Sequence, residues 1–227
     1  IIITGDIVYG SFDDKGTGMK YMCKLLGVKG CVLPLTEERV ELIGKSKDKD
    51  FFGEEEVSNN IRHIKRLAYD HDIKIGEEVI AKIMDADLII FSSGSLYTSV
   101  LPHLLSPQVL NAIEQTKAPL MYISNLVTQP GETDNYSVSQ HVKVLNKYLK
   151  NRKIDMVVAN NAKIDERIKE KYLTAENKTI VDLDRDKLNY QEVRVIEGDI
   201  FCIENDKIRH NALKTAFMIF TYLMENE

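Results

Sequence analysis

The chain of 227 residues has no tryptophan, only 5 prolines and 3 cysteines. Cys23, Cys31 and Cys202 are odd in number, sit in apolar segments and lack CxxC spacing, so neither a disulfide framework nor a thiol metal cluster is expected. They read as reduced, buried thiols. No apolar run approaches the roughly 18 residues that cross a bilayer, and the start shows no charged segment followed by an apolar run and cleavage site. A cytoplasmic location without stable membrane insertion is expected. Cationic excess is missing too: 30 Lys and Arg stand against 35 Asp and Glu, for a net charge of -5. Without a basic run there is no electrostatic footprint of nucleic-acid binding, and a small molecule becomes the better partner. At this length, with 44% hydrophobic residues, the chain can bury a core without metal or disulfide staples.

What is present is a regular alternation. EEVIAKIMDA from Glu77 has helical spacing, Asp87 to Phe91 is a short apolar run, and SSGS follows it. The unit recurs with a helix at Pro107 to Gln115, a strand at Leu120 to Ser124 and the loop NLVTQPGET. It recurs again with a helix at Ser139 to Lys150 and a strand at Ile154 to Ala159, ending in Asn160 and Asn161. Alternating strands and helices predict a parallel sheet, and wholly apolar strands predict burial on both faces. Ligands of open parallel sheets sit outside the carboxyl ends of the strands, so three polar strand ends outline one cleft.

Residues 31–75 read differently. CVLPLTEERVELIG, a charged turn at KSKDKD and FFGEEEV predict antiparallel strands packed on one face. Thr179 to Leu183, Val193 to Ile196 and Asp199 to Ile203 are further short strand candidates. A closing helix carries a wide apolar face of Ala212, Leu213, Ala216, Phe217, Ile219, Phe220 and Leu223. With no repeat and no low-complexity tract, one mixed α/β domain over 1–227 is the economical reading.

Three groups of residues could carry chemistry. In the first, from Ser92 to Pro102, a glycine, free backbone N–H groups at a helix start and several hydroxyls suit a phosphate. The same residues also suit a plain helix N-cap without ligand. It contains neither GxxxxGK[ST] nor GxGxxG. In the second, NLVTQPGET, amides and hydroxyls could read a base or sugar and Glu132 a ribose hydroxyl or metal, although an ordinary Pro-Gly turn uses such residues too. The third is Ile208-Arg209-His210-Asn211, where Arg209 could hold a diphosphate bidentately or form a surface ion pair. Tyr172 could stack on a base or cover its own helix. His63, His71, His103, His141 and His210 show no HxxxH or HExxH spacing, so no metal site is expected, and no catalytic acid–base pair is recognisable.

GSLYTSVLPHLL, then AIEQTKAPLMYISNLVTQPGET, YSVSQHVKVL and KIRHNALKTA, resemble the CofD-like superfamily and within it the YvcK, or gluconeogenesis-factor, branch. The likeness covers most of residues 19 to 220. It implies a Rossmann-like nucleotide-binding fold, a mainly parallel sheet with flanking helices and a small antiparallel β insertion. It also implies a cytoplasmic regulatory protein that binds UDP-sugars such as UDP-N-acetylglucosamine without catalytic turnover, with links to carbon metabolism, cell-wall precursor supply and cell shape. By matching motif positions it implies Gly94, Ser95, Tyr97, Thr98 and Ser99 as the ligand loop and Asn125, Gln129, Gly131, Glu132 and Thr133 as the facing loop. Tyr172 and Arg209 match positions implicated in UDP-sugar binding. The superfamily's phospholactate transferases offer the alternative, a Mg²⁺-dependent transfer from a nucleoside diphosphate donor; otherwise no cofactor is expected. SSGSLYTS departs from the family's usual GPGSLYTS, and the family's opening GGGTG loop and DDGGSSG segment have no convincing counterpart in IIITG or FDDKGTG. A homodimer is a reasonable expectation, since closed twofold assemblies are the commonest oligomers.

Overall fold

The computed structural model describes residues 2–3, 15–25, 27 and 29–225. Of FDDKGTG, residues 12–14 lie outside the described residues, whereas Lys15 to Gly18 open the helix α1 (Lys15–Leu25); of IIITG only Ile2–Ile3 are described. The main sheet has five strands in the order β1 (Ile2–Ile3), β5 (Ile89–Phe91), β6 (Leu120–Ile123), β7 (Met156–Asn160) and β8 (Arg194–Gly198). Every neighbouring pair is parallel, with Phe91 opposite Tyr122 and Tyr122 opposite Val157.

Strict alternation along these strands builds two cores. Ile89, Phe91, Leu120, Tyr122, Val157 and Ala159 point to one face, where they meet Val109 and Ile113 of α4 (Pro107–Gln115) and Val142 and Leu145 of α5 (Val138–Leu149). Ile90, Met121, Met156 and Val158 point to the other, against Tyr172 of α6 (Glu166–Glu176) and Met218, Ile219 and Tyr222 of α8 (Ala212–Glu225). Phe91, Leu120 and Tyr122 are fully buried, each worth about 1.5–3 kcal/mol of burial free energy.

Local signals set where the helices start. Ser106 caps α4 by accepting from the Val109 amide, with Pro107 at its first position. Ser137 and Gln140 form a reciprocal capping box on α5. Asp165 caps α6, which closes at Asn177 in the left-handed conformation with φ 50.

The expected antiparallel insertion is a three-stranded sheet, β3 (Asp50–Phe52), β2 (Leu42–Lys45) and β4 (Arg66–Tyr69), in that order. KSKDKD spans its β2–β3 turn. CVLPLTEE forms no strand, however, and GEEEV, read as strand, opens α2 (Gly53–Asn59). Three carboxylates in its first turn, Glu54, Glu55 and Glu56, complement the positive end of the helix dipole. Thr179 to Leu183 also fails as a strand: it makes one bridge, Ile180 to Val127, and otherwise bonds to the loop at Leu126 and Thr128 and to the Val138 amide at the start of α5. Val193 to Ile196 matches β8, and Asp199 to Ile203 overlaps β9 (Phe201–Glu204), which forms an antiparallel hairpin with β10 (Lys207–His210).

The three cysteines are free as expected, but the reading of them as buried is corrected: Cys31 is exposed and Cys23 and Cys202 half-exposed. On α8 the wide apolar face splits, because Leu213, Phe217 and Phe220 point to solvent while Ile219 packs inward. Among the described residues no helix is long and apolar enough to cross a membrane.

Candidate functional site

Just past β5 the chain turns at Ser92, whose amide donates to the Ile3 carbonyl at 3.0 Å. Gly94 lets the loop close on its own following turn: a Cβ there would sit 3.3 Å from Ser99 Cβ. Ser95 caps a short π-helical turn, Leu96–Val100, in which the Val100 amide reaches back to the Ser95 carbonyl at 3.0 Å. Leu96 and Val100 anchor this turn in the core, and the 3₁₀ stretch Leu101–Leu105 continues it.

The anion at the start of that turn is supplied by the protein. Glu132, 3% exposed, places Oε2 at 2.6 Å from Ser95 Oγ and 3.4 Å from the Tyr97 amide. Its Oε1 accepts from Ser58 Oγ at 2.5 Å, Gln129 Nε2 at 2.9 Å and Thr98 Oγ1 at 3.4 Å. A carboxylate has about four lone-pair positions, so these five donors saturate it. The QPGET loop is shaped for this role: the Glu132 and Thr133 amides donate to the Gln129 carbonyl, and the Thr133 hydroxyl accepts from the Gln129 amide at 2.9 Å. Gly131, at φ 83, lies against the Ser58 carbonyl. Beside this network the hydroxyls of Tyr97 and Tyr136 are 3.1 Å apart, and burial together with that neighbour raises the Tyr97 hydroxyl far above its ordinary pKa.

Asn125 fixes the other side of the loop. Its Oδ1 accepts from the Tyr122 hydroxyl at 2.6 Å, and its Nδ2 donates to the carbonyls of Gly94 at 3.0 Å and Ser93 at 3.3 Å. His210 then bridges two strand ends, with Nε2 3.0 Å from the Ser124 carbonyl and Nδ1 3.3 Å from Ser93 Oγ. Burial depresses its pKa. Ser92 Oγ is buried here without a hydrogen-bond partner among the described residues.

Tyr172 and Arg209 are linked through the backbone. Tyr172 is buried, and its hydroxyl accepts from the Ile208 amide at 2.6 Å. That contact ties α6 to β10 next to Arg209, which is exposed. The ring is thereby committed to packing, with no open face for a base.

The structure thus joins Ser95, Tyr97, Thr98, Gln129 and Glu132 in one network, with Gly131 and Thr133 shaping its loop and Gly94 and Ser99 its turn. Asn125 meets them through the backbone of Ser93 and Gly94, whereas Tyr172 and Arg209 form a separate pair on the β9–β10 side. Sequence reasoning missed Ser58, 74 residues from Glu132, and the bridging role of His210, although IRHN carried the signal. A cavity of about 690 Å³ opens beside the end of β7. Asn160, Asn161, Lys163, Lys169, Lys178 and Arg185 are among its lining residues, and none of the sequence-predicted site residues is. No group of three His, Cys, Asp or Glu placed to hold a metal ion occurs among the described residues.

Residues 8–201 match the family described as 2-phospho-L-lactate transferase CofD. The gluconeogenesis factor of Bacillus subtilis is 36% identical over 225 residues, covering 98% of this chain and 68% of that protein. The chain belongs to the gluconeogenesis-factor branch of the CofD family. A further gluconeogenesis factor, from Halalkalibacterium halodurans, is 35% identical over 89% of this chain and 63% of its own length. The crystal structure of a UPF0052 family member from Bacillus halodurans is similar at a TM-score of 0.79 and 33% identity, covering 89% of this chain and 66% of that one. The chain spans only part of its relatives' length, from 68% of the Bacillus subtilis protein to 47% of one from Clostridium acetobutylicum and 37% of one from Deinococcus radiodurans.

Proposed function

We propose that this gluconeogenesis-factor chain binds a nucleotide-sugar of the UDP-N-acetylglucosamine type along the carboxyl edge of β5, β6 and β7, and returns it unchanged. The observation that carries the reading is the convergence of Ser93, Ser124 and Asn125 at one edge, with His210 bridging the first two; Arg209, the preceding residue of β10, is exposed. Membership of a family described by a phosphate-ester transferase supports a phosphorylated ligand. In this reading Glu132 and Asn125 brace the loop from its two sides, the turn at 92–94 that they hold lies toward the ligand, and Arg209 takes the diphosphate. Guanidinium suits that task because its fork matches phosphate oxygens in pairs. The protein would act in the cytoplasm as a regulator linked to carbon metabolism, cell-wall precursor supply and cell shape.

The second reading is a Mg²⁺-dependent transferase acting on a nucleoside diphosphate donor, favoured by the match to the 2-phospho-L-lactate transferase family. One experiment separates them: calorimetric titration with UDP-N-acetylglucosamine, UDP and GDP, with and without Mg²⁺, followed by chromatography of the ligand. Metal-independent binding with intact UDP-sugar recovered is the expected result. A metal-dependent product, or preference for GDP, would transfer the protein to the second reading.

A further inference from the structure

The cavity of about 690 Å³ beside the end of β7 is walled by residues 160–164, by one side of α6 and by residues 178–183. The last wall is extended chain paired along one edge. The Thr179 carbonyl accepts from the Thr128 amide at 2.8 Å, and the Val181 amide donates to the Leu126 carbonyl at 3.0 Å. Between them Ile180 faces Val127 in an antiparallel bridge of the kind whose facing residues exchange no hydrogen bonds. The N–H and C=O of Ile180 therefore point away from that loop, and neither has a partner among the described residues.

This free edge is one residue long. The Lys178 amide is taken by the Tyr172 carbonyl at 3.1 Å, and the Asp182 carbonyl by the Val138 amide at 3.0 Å. An added peptide strand needs such groups at several alternate residues, whereas one adjacent donor and acceptor match the edge of a single heterocycle. The other walls suit a ring. Ile164 and Leu173 line the cavity with apolar side chains, and Leu173 is 52% exposed. Most of the lining cations are already paired: Lys169 with Glu166 at 2.7 Å, Lys178 with Glu176 at 2.6 Å, and Arg185 with Glu197. Lys163 has no ion pair among the described residues and is available to a phosphate attached to the ring. The volume falls within the roughly 300–1,000 Å³ of small-molecule sites.

We infer that this cavity holds the uracil ring of the nucleotide ligand, with the Ile180 N–H donating to a ring carbonyl and the Ile180 C=O accepting from the ring N3–H. The inference rests on the nucleotide-sugar reading and adds to it the seat of the base. One residue joins this seat to the strand end that carries Arg209 and His210: Asn160 Oδ1 accepts from the Ile200 amide at 3.3 Å, and the Ile200 carbonyl accepts from the Asn211 amide at 2.7 Å.

Calorimetric titration of the whole chain with UDP-N-acetylglucosamine, and with its analogue carrying a methyl group on uracil N3, tests the assignment. The methyl group replaces the proton offered to Ile180, so affinity is expected to fall about tenfold, the scale of one lost hydrogen bond. Leu173→Arg, which sends a long side chain into the cavity from an exposed helix position, is expected to weaken UDP-N-acetylglucosamine by about tenfold or more with an unchanged far-ultraviolet circular dichroism spectrum. Equal affinity for the two ligands, or full affinity in the Leu173 variant, overturns the inference and leaves the nucleotide-sugar reading standing. A wild-type chain that binds neither ligand overturns both.

Discussion

Ser95 donates its hydroxyl to the Glu132 carboxylate at 2.6 Å, joining the loop after β5 to the loop after β6. The contact puts a protein carboxylate where a helix start would otherwise attract a phosphate. A ligand phosphate approaching the same turn would meet that charge, so it is best accommodated on the open side, toward Ser93, His210 and Arg209.

Glu132 is accordingly expected to act on stability before it acts on affinity. Glu132→Ala leaves the Ser58, Ser95 and Gln129 donors without their shared acceptor, a loss on the order of 3 kcal/mol for a buried charged hydrogen-bonding group. In a chain of this size that lowers Tm by roughly 6–12 °C. Calorimetric melting measures it. An unchanged Tm with abolished UDP-sugar binding would instead make Glu132 a ligand group.

Tyr172 and Arg209 should separate by the same pair of measurements. Tyr172→Phe keeps the ring but strands the buried Ile208 amide, costing about 1–3 kcal/mol of stability. Arg209→Ala, at an exposed position, should leave stability within about 0.5 kcal/mol while weakening UDP-sugar binding by about 1.5–3 kcal/mol. Unaltered affinity of the Arg209 variant would remove it from the site.

The parallel sheet was legible because strands buried on both faces are apolar runs: IIF and LMYI stop at the first polar residue, where the chain leaves the sheet, and MVVA runs one residue further, to Asn160. The loops could be found for the same reason. What they do to each other could not. Glu132 pairs with Ser58 across 74 residues, and nothing near either residue encodes that distance. GEEEV misled because Phe51 and Phe52 give it a strand-like approach, whereas the acidic first turn was the informative signal. Tyr172 shows the limit of motif transfer, since a matched tyrosine reads alike whether its hydroxyl meets a ligand or, as here, the Ile208 amide.

Two glycines of the site carry different loads. Gly131 has φ 83, and a Cβ on it would sit 3.2 Å from the Ser58 carbonyl. Gly131→Ala should cost about 1–3 kcal/mol from left-handed strain alone, with further displacement of α2. A Cβ on Gly94 meets only side chains, Ser99 at 3.3 Å and Val100 at 3.7 Å, and its φ carries no such penalty, so Gly94→Ala should be the milder change. Denaturant melts of the two variants compare them directly, and equal losses would contradict the assignment.

Acidification provides the last test, and its sign follows from three histidines. Burial holds His103, His141 and His210 below their ordinary pKa, partly countered by hydrogen bonds to backbone carbonyls. The unfolded chain therefore takes up protons near the ordinary histidine value of about 6.5 while the folded chain stays neutral to lower pH. In that window the unfolded state binds more protons, so stability falls as pH decreases and is fully present only above it. Exposed His71 shifts the opposite way, beside Asp70 and Glu38, in a solvated setting where such pairs contribute little. Asp184 adds nothing in this range: burial alone would raise its pKa, but hydrogen bonds from Ser139 and Ser137 hold it below the ordinary carboxylate value. Chemical denaturation should thus show lower stability at about pH 5.5 than at about pH 7.5, and His141→Gln should flatten the difference. Stability that rises on acidification would show that these imidazoles are protonated in the folded protein.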